Sequence, residues 1–385
     1  MSVSTPLRLA SVSKVMTAAL ALRLESSGII SLDTPIVALV PEVEEWLHPG
    51  VTMRRCLNHT TGIPDYVDAD NDRFMRTRGP LTDEFVLDEV AKKPPWFEPG
   101  AAWGYSSTGF YLVALALRRA TGLSWDALIR DSLAAPLALE SLRECDDYIG
   151  HDRLQGYETG DGTPVDAVLY AVTGIKGDGG LCATAGDVAA FARKLERESY
   201  LEPGVFDRMV TPTVLANGTP VDYGLGARLG SLGGHRLWGH TGSVIDAYVA
   251  TVLRFPDDDV TVVVLLNTID ARTDALVIAW QLAEVALELP AADLRPVAAL
   301  DRAPFVGDYI GWGEGTEPSR SRVAASAEEI RLERLDGDSS VVRLIPLGAE
   351  SFGRADWPRD RIQFHAAAGV VTSYSEYYAG LFATY

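Results

Sequence analysis

The sequence predicts an α+β chain with a helix-rich first part, a run of strands after it and a small all-β domain at its C-terminus. Apolar residues recur at helical spacing before Tyr223, and strand-like alternation of apolar and polar residues becomes frequent from there on. A third observation is a proline-containing linker, residues 291–304, which is followed by several short alternating segments. With 385 residues, 47% of them apolar, the chain can bury a large core, which excludes general disorder.

Helical patterns dominate the first part of the chain. The first predicted helix covers residues 11–28, where Gly28 supplies a stop signal. Shorter helices are predicted at residues 83–92, 109–121, 125–133 and 188–196. Thr184 and Asp187 are spaced as a capping box before the last of these. The connecting segments are rich in Pro, Gly, Thr and Asp, so we expect mostly loops and little strand between the helices.

Strand patterns follow in two groups. The first group covers residues 223–232, 235–238, 244–255 and 260–266, and an amphipathic helix is predicted after it at residues 272–289. The second group covers residues 330–335, 340–346, 361–365 and 370–378, which is typical of a small, partly or fully closed barrel. The predicted domains are therefore residues 1–290 and residues 305–385, joined by the linker at 291–304.

The charge balance limits the partners of this chain. It has 53 acidic and 34 basic residues, which give a net charge of −19. A field of that sign repels nucleic acid and anionic membrane surfaces, so neither is expected as a partner. No apolar run approaches the length of about 18 residues that a membrane-spanning helix needs.

The cysteines indicate neither a metal site nor a redox motif. Cys56, Cys145 and Cys182 are far apart and form no C-x-x-C pair, so no metal or other cofactor is expected. The first ten residues lack the apolar core of a signal peptide. We therefore expect three reduced, buried thiols in a cytoplasmic protein, although a truncated start would also remove any signal peptide.

The segment Ser11-Val12-Ser13-Lys14 places a hydroxyl and an amine on one face of a helix start. A serine hydroxyl is a weak nucleophile until a base takes its proton, and a desolvated lysine can be that base. Lysine is scarce in this chain, with five residues in all. A serine cap beside a solvated lysine explains the same pattern if it is considered alone.

A loop rich in aromatic residues and glycine precedes the predicted helix at residues 109–121. It contains Trp103-Gly104-Tyr105-Ser106-Ser107, and Tyr105 stands near its end. A tyrosine held near a lysine can relay a proton, which makes Tyr105 a candidate general base. A core aromatic residue that flanks a turn is the alternative interpretation.

A third segment, Trp238-Gly239-His240-Thr241-Gly242-Ser243, lies in the strand region. Glycine in a strand permits close approach of a ligand to the backbone, and the N–H groups of an exposed strand edge can stabilise an oxyanion. His240 taken alone is equally compatible with a hydrogen-bonded structural histidine.

Together, the ordered S-x-x-K, Y-S-S and H-T-G segments resemble the serine β-lactamase and penicillin-binding-protein superfamily. The similarity is strongest to the branch of class C β-lactamases, D-alanyl-D-alanine carboxypeptidases, D-aminopeptidases, esterases and transacylases. Residues 56–64, C-L-N-H-T-T-G-I-P, and residues 179–187, G-G-L-C-A-T-A-G-D, resemble two further segments of that branch. The resemblance covers residues 7–289. It implies an antiparallel sheet flanked by helices and a helical lobe at about 33–205, with the site between them, and a C-terminal lipocalin-like domain.

The resemblance also implies the catalytic roles. Ser11 matches the acylated nucleophile, Lys14 matches its base partner, and Tyr105 matches the tyrosine that shuttles protons. The backbone N–H groups of Ser11 and Ser243 match the oxyanion hole.

The substrate side of the site departs from the family pattern. His240, Thr241 and Gly242 match the strand that lines the cleft and binds the substrate carboxylate or amide. Ser107 stands where the family usually has an asparagine that contacts the substrate amide, which favours ester or thioester substrates. His59 is interpreted as a structural loop histidine.

Only ten residues precede Ser11, whereas family members usually have a helix and two sheet strands before the nucleophile. An unpaired sheet edge would result, and open edges are costly. We expect a truncated start, replacement by the C-terminal β-segments, or pairing with another chain.

Three functions are compatible with these segments. The first is a serine hydrolase that acts through an acyl-Ser11 intermediate on an ester, amide or D-amino-acid peptide. The second is an acyltransferase or peptide cyclase of the same fold, and the third is a non-catalytic binding protein that retains the fold. The expected partners are a small-molecule or peptide acyl substrate and further copies of the chain in a homo-oligomer.

Overall fold

The structure is a computed structural model. It describes residues 2–67, 81–145, 155–159, 163–167, 175–197, 200–244, 247–269, 275–289, 301–311, 319–326, 329–335, 341–346, 351–354, 361–367, 370–378 and 381–384.

The helices lie mainly in the first part of the chain, as the sequence predicts. They are α1 (Ser13–Ser26), α2 (Ile36–Leu39), α3 (Met53–Leu57), α4 (Asp83–Ala91), α5 (Ser107–Thr121), α6 (Trp125–Ile129), α7 (Ala185–Arg197), α8 (Val205–Met209) and α9 (Ala275–Ala286). Short 3₁₀ turns cover Ala10–Val12, Pro41–Val43 and Ala303–Phe305, and a π-helical turn, Arg130–Ala134, extends α6.

Within the described residues, twenty strands make up the sheets. They are β1 (Leu7–Arg8), β2 (Arg143–Glu144), β3 (Tyr157–Thr159), β4 (Pro164–Asp166), β5 (Leu181–Ala183), β6 (Thr213–Val214), β7 (Pro220–Val221), β8 (Arg228–Leu232), β9 (His235–Val244) and β10 (Tyr248–Phe255). The others are β11 (Val260–Leu266), β12 (Thr268–Ile269), β13 (Gly307–Gly311), β14 (Ser319–Ala325), β15 (Ile330–Arg334), β16 (Val341–Pro346), β17 (Ser351–Arg354), β18 (Arg361–Ala367), β19 (Val370–Tyr378) and β20 (Leu381–Thr384).

Helix α1 runs through the centre of the first core. Most of its residues are buried, including those on what the sequence would suggest is a polar face, as expected for a helix surrounded by protein. Gly28 follows its end in the left-handed conformation, with φ of 74°, as expected for a glycine after a helix C-terminus. Helix α5 packs against α1, α2 and α3, so the two longest helices of this region share one core.

The main sheet is antiparallel, in the order β11-β10-β9-β8. Successive side chains of a strand point to opposite faces, and β10 shows this directly. Ala250 and Val252 join the core around α1, whereas Leu253 and Phe255 join a second core with α9. The predicted antiparallel sheet flanked by helices is therefore confirmed.

Strand β9 extends to Val244, beyond the strand that the sequence predicts at residues 235–238. It pairs with β10 from Trp238 opposite Arg254 to Val244 opposite Tyr248, and with β8 over residues 235–239. The glycines within the H-T-G segment lower its strand propensity, but pairing with β10 keeps that segment in the sheet.

A small sheet in the order β1-β5-β2 carries a disulfide that the sequence did not predict. Cys145, next to β2, and Cys182, in β5, are joined by a disulfide with Cα atoms 4.9 Å apart. The expectation of three reduced thiols is therefore wrong for two of them, and Cys56 is the remaining free and buried thiol. The cytoplasmic prediction loses the support it took from reduced thiols, because disulfides persist mainly in oxidising compartments.

The C-terminal strands form their own sheet, an eight-stranded antiparallel meander from β13 to β20. Its core contains Phe305, Phe352 and Phe364 in mutual aromatic contact. A fully closed barrel is not found among the described residues, because β13 and β20 do not pair there. A lipocalin-like fold is likewise not confirmed, and the domain boundaries stay a prediction.

Whether C-terminal segments cover an open edge of the main sheet stays a prediction. Among the described residues, β11 pairs with β10 alone, and strands β13 to β20 pair only with one another. None of the described helices combines the length and the apolar character that a bilayer span requires.

Candidate active site

Ser11 lies in the 3₁₀ turn that connects β1 to α1. Strand β1 is fixed to β5, and the N–H of Leu9 donates to the carbonyl of Leu181 at 2.8 Å. Ala10 has φ of 46°, in the left-handed region that a residue with a Cβ rarely adopts. The strained turn holds the Ser11 hydroxyl at the N-terminal end of a buried helix.

Lys14 is fully buried, one helical turn after Ser11. Its Nζ donates to Ser11 Oγ at 3.0 Å, to Ser107 Oγ at 3.3 Å and to the Asp178 carbonyl at 2.9 Å. Burial lowers the pKa of Lys14 to about 8, against the opposing effect of the Asp178 and Asp65 carboxylates. Loss of one proton leaves a lone pair on an amine that is already held against the hydroxyl.

Tyr105 is brought to the same hydroxyl. Lys14 Nζ lies 4.8 Å from the centroid of its ring, and the Ser11 hydroxyl is close enough to lower the pKa of its phenol. Burial raises the pKa of the phenol above its ordinary value, and the nearby Arg228 guanidinium opposes this. Tyr105 is therefore a neutral phenol near pH 7, and can donate a proton to an atom next to Ser11.

Ser107 begins helix α5 and faces the lysine. Its hydroxyl accepts from Lys14, and its backbone N–H donates to Asp65 Oδ2 at 2.8 Å. The structure thus brings Ser11, Lys14, Tyr105 and Ser107 together, although Ser107 lies 93 residues from Lys14 in the sequence.

Strand β9 passes directly behind the Ser11 turn at Gly242. A Cβ added to Gly242 would lie 2.4 Å from the Leu9 carbonyl oxygen and 2.8 Å from the Ser11 nitrogen. Thr241 is half-buried and Ser243 is exposed, on the opposite face of the strand from Gly242. The oxyanion role of the Ser11 and Ser243 N–H groups stays a prediction.

His240 differs from the expectation that it lines the cleft. Its side chain is 0% exposed, and both ring nitrogens have partners inside the protein. Nε2 lies 3.0 Å from Tyr223 Oη, and Nδ1 lies 2.5 Å from the Thr241 carbonyl oxygen. These contacts fit the structural alternative that the sequence left open, and a substrate-binding role of His240 stays a prediction.

The sequence analysis missed Asp178, Tyr66 and Arg228. Tyr66 donates to Asp178 Oδ2 at 2.9 Å, and burial raises the pKa of Asp178 to about 6. Arg228 is buried in β8, with its guanidinium carbon 5.7 Å from the centre of the Tyr105 ring. In the sequence, only their positions near family segments could have indicated two of them: Asp178 precedes a Gly-Gly pair, and Tyr66 follows the H-T-T-G segment.

The comparison with known proteins agrees with this geometry. The family model described as Beta-lactamase matches residues 1–287. Penicillin-binding protein 4* of Bacillus subtilis is 28% identical over 280 residues, which are 67% of this chain and 60% of that protein. The D-aminopeptidase of Brucella canis is 27% identical over 318 residues, which are 80% of this chain and 58% of that protein.

A solved structure shows the same fold over nearly the whole chain. The octameric penicillin-binding protein homologue from Pyrococcus abyssi has a TM-score of 0.66 and 22% identity, and covers 98% of this chain and 85% of that one. This chain spans about 60% of the length of the curated relatives it matches. Since the family model matches well over half of the sequence, and the S-x-x-K serine, lysine and tyrosine converge in space, this chain belongs to the beta-lactamase family.

Proposed function

We propose that the protein is a serine hydrolase that forms an acyl-enzyme at Ser11 and cleaves amides of D-amino acids or their peptides. The observation that carries the proposal is the contact of 3.0 Å between Lys14 Nζ and Ser11 Oγ, made by an amine whose pKa burial lowers to about 8.

In the first half of the reaction, neutral Lys14 takes the proton of Ser11 Oγ as that oxygen attacks the substrate carbonyl carbon. The resulting oxyanion is stabilised by backbone N–H groups, for which those of Ser11 and Ser243 are the candidates. Tyr105 gives its proton to the leaving nitrogen as the C–N bond breaks, and the Lys14 ammonium returns a proton to the phenolate. The acyl group then remains on Ser11, and both bases regain their starting states.

In the second half, water attacks the acyl carbon, and the same two groups carry its proton to Ser11 Oγ. No further group is required, because water loses one proton and Ser11 Oγ gains one. An amine or alcohol that replaced water would give acyl transfer through the same steps.

The substrate class is supported by the curated relatives. The D-aminopeptidase of Brucella canis is named for D-amino-acid substrates, and its alignment covers 80% of this chain. Ser107 in place of the family asparagine favours ester or thioester donors, so esters are the second candidate class. The homo-oligomer and the cytoplasmic location stay predictions.

Intact-protein mass spectrometry tests the proposal. We expect an adduct on Ser11 after incubation with a fluorophosphonate, and a transient acyl adduct with D-amino-acid amides. Ser11→Ala should abolish both adducts. Ser13→Ala is a matched control, because Ser13 is a buried serine two residues away in the same segment and should retain them.

The substrate panel should include D- and L-amino-acid amides, simple esters, thioesters and a β-lactam, with and without an added amine. Absence of any adduct on the wild-type protein, or an adduct that maps to another serine, would contradict the proposal. Products that contain the added amine, in place of free acid, would favour the acyltransferase alternative.

A further inference from the structure

A buried chain of hydrogen bonds joins the Tyr105 loop to strand β9. The Ser106 N–H donates to His59 Nδ1 at 3.1 Å, and His59 Nε2 lies 3.2 Å from Tyr223 Oη. Tyr223 Oη lies 3.0 Å from His240 Nε2, and His240 Nδ1 lies 2.5 Å from the Thr241 carbonyl oxygen. These hydrogen bonds therefore connect distant segments of the sequence, since His59 and Tyr223 are 164 residues apart.

The two ends of the chain fix the direction of every bond in it. A backbone N–H can only donate and a carbonyl oxygen can only accept. His59 Nδ1 must accept from Ser106, so a neutral His59 carries its proton on Nε2 and donates to Tyr223. At the other end, a neutral His240 donates from Nδ1, so its Nε2 accepts and the Tyr223 hydroxyl must be the donor.

Burial keeps His59, His240 and Tyr223 in their neutral forms. His59, Tyr223 and His240 are each at most 1% exposed. Burial, together with the nearby Lys14 and Arg228 cations, lowers the pKa of both histidines well below its ordinary value. Burial also raises the pKa of Tyr223.

His59 transmits this chain to the catalytic tyrosine. Its ring lies against the Tyr105 ring, with centroids 4.3 Å apart and planes 35° apart, and its carbonyl accepts from the Gly104 N–H at 2.9 Å. His59 itself has φ of 59°, so the loop adopts a rarely populated backbone conformation to direct its ring inward. Tyr223 is thus connected to Tyr105 on one side and to the backbone of β9 on the other.

We propose that Tyr223 is a positioning residue, whose hydroxyl accepts from His59 and donates to His240 and so holds the Tyr105 loop at a fixed distance from β9. The kinetic part of this inference rests on the proposed function. His240 then acts through β9 and has no free nitrogen to offer to a substrate. Loss of the hydroxyl removes the donor to His240 and the acceptor of His59 in one step.

The proton positions can be measured without any substrate, by ¹⁵N NMR of histidine-labelled protein. The chain has six histidines, so the spectrum is simple, and single substitutions assign the two resonance sets. In the wild type we expect His59 with its proton on Nε2 and His240 with its proton on Nδ1, both unchanged between pH 5 and 8. A different proton position on either ring, or titration of either ring in that range, would overturn the chain.

Tyr223→Phe is the main variant. We expect the Nε2 resonance of His240 to shift because its hydrogen-bond donor is lost, while the proton stays on Nδ1 against the Thr241 carbonyl. Acylation of Ser11 should slow by about tenfold or more, because Tyr105 is no longer held in place. Tyr200→Phe is the matched control, since Tyr200 is a buried tyrosine whose hydroxyl donates to the Ser132 carbonyl at 2.8 Å. It should change neither the histidine spectrum nor the acylation rate.

Two outcomes with these variants would overturn the inference. One is a His240 Nε2 resonance that stays at its wild-type position in Tyr223→Phe. The other is a shifted Nε2 resonance with an acylation rate that equals that of Tyr200→Phe.

His59→Asn keeps the inference testable if Tyr223→Phe does not fold. Asparagine tolerates the backbone conformation of His59 and can still accept from Ser106, but it removes the donor to Tyr223. His240 Nε2 should keep its wild-type resonance, because Tyr223 still donates to it; a shift like that expected for Tyr223→Phe would contradict the role of Tyr223. If the wild type forms no adduct with any probe, the proposed function fails, while the histidine spectra still confirm or reject the hydrogen-bond chain.

Discussion

Lys14 shows how much the chemistry of a residue depends on its burial. An exposed lysine is almost fully protonated at neutral pH and cannot act as a base. Here the amine has no contact with solvent, three oxygen atoms surround it, and its pKa falls to about 8. The sequence indicates the pair with Ser11 from spacing alone, but the desolvation that makes Lys14 a base comes from α5 and from the segment around Asp178.

The pH dependence of acylation tests the role of Lys14. The neutral amine is the active form, so kcat/KM should rise about tenfold per pH unit below pH 8 and level off above it. The measurement is kcat/KM for an unionised ester or amide between pH 6 and 10. A profile that is flat, or that falls as the pH rises through 8, would contradict this assignment.

Substitution of Lys14 tests the same role by a second measurement, the rate of Ser11 acylation. Lys14→Ala should lose acylation, whereas Lys92→Ala should not, because Lys92 is an exposed lysine paired with Glu89 on the surface. Retention of the full acylation rate by Lys14→Ala would show that another group is the base.

At the scale of elements, the close approach of β9 to the Ser11 turn depends on Gly242. A side chain there would overlap the Leu9 carbonyl and the Ser11 nitrogen, so the strand and the turn would have to separate. Gly242→Ala should lower the free energy of unfolding by about 1–3 kcal/mol, as overpacking does. It should also slow acylation by about tenfold or more, because the turn that holds the nucleophile moves.

Gly186→Ala is the control for Gly242→Ala. Gly186 lies in helix α7, and the nearest atom to an added Cβ is Thr184 Oγ1 at 3.8 Å, an ordinary contact. This variant should match or exceed the wild-type stability, with unchanged acylation. Equal acylation rates in the two glycine variants would show that the approach of β9 does not matter for the reaction.

The disulfide between β5 and the end of β2 gives a prediction on the same scale. Denatured but unreduced protein should show one reactive thiol, that of Cys56, and reduced protein should show three. The 37-residue separation of Cys145 and Cys182 predicts that loss of the bond costs about 4 kcal/mol in the free energy of unfolding. Three reactive thiols without reductant would contradict the disulfide and agree with the reduced thiols that the sequence predicts.

At the scale of the whole molecule, no hydrophobic core of the described residues contains residues from both sides of the predicted linker. The two largest cores lie before it, one around α1 and one between the sheet and α9. The third core belongs to the strands from β13 onward and is built on Phe305, Phe352 and Phe364. A core of its own is what an independently folding domain requires.

Limited proteolysis tests this division. A nonspecific protease should first cleave within residues 291–304, where prolines alternate with small and polar residues, and should leave two resistant fragments. Mass spectrometry identifies the sites of cleavage. First cleavage within residues 1–290 or 305–385, with none in the linker, would contradict the predicted boundaries.

Sequence alone determined the features that depend on local order along the chain. The helices at residues 83–92 and 188–196 and the strand at residues 260–266 were predictable, because the period of apolar residues follows directly from helix and strand geometry. The S-x-x-K pair was predictable for the same reason, since one helical turn brings its two side chains together. The order of the segments was enough to identify the family.

Tertiary structure alone decided which distant residues meet. No local pattern shows that the Asp178 carbonyl binds Lys14, that Cys145 lies against Cys182, or that Tyr223 lies between His59 and His240. The side chains and carbonyls that surround the Lys14 amine come from elements more than ninety residues away in the chain. Proton affinity depends on desolvation and on nearby charges, and both exist only after those elements have packed.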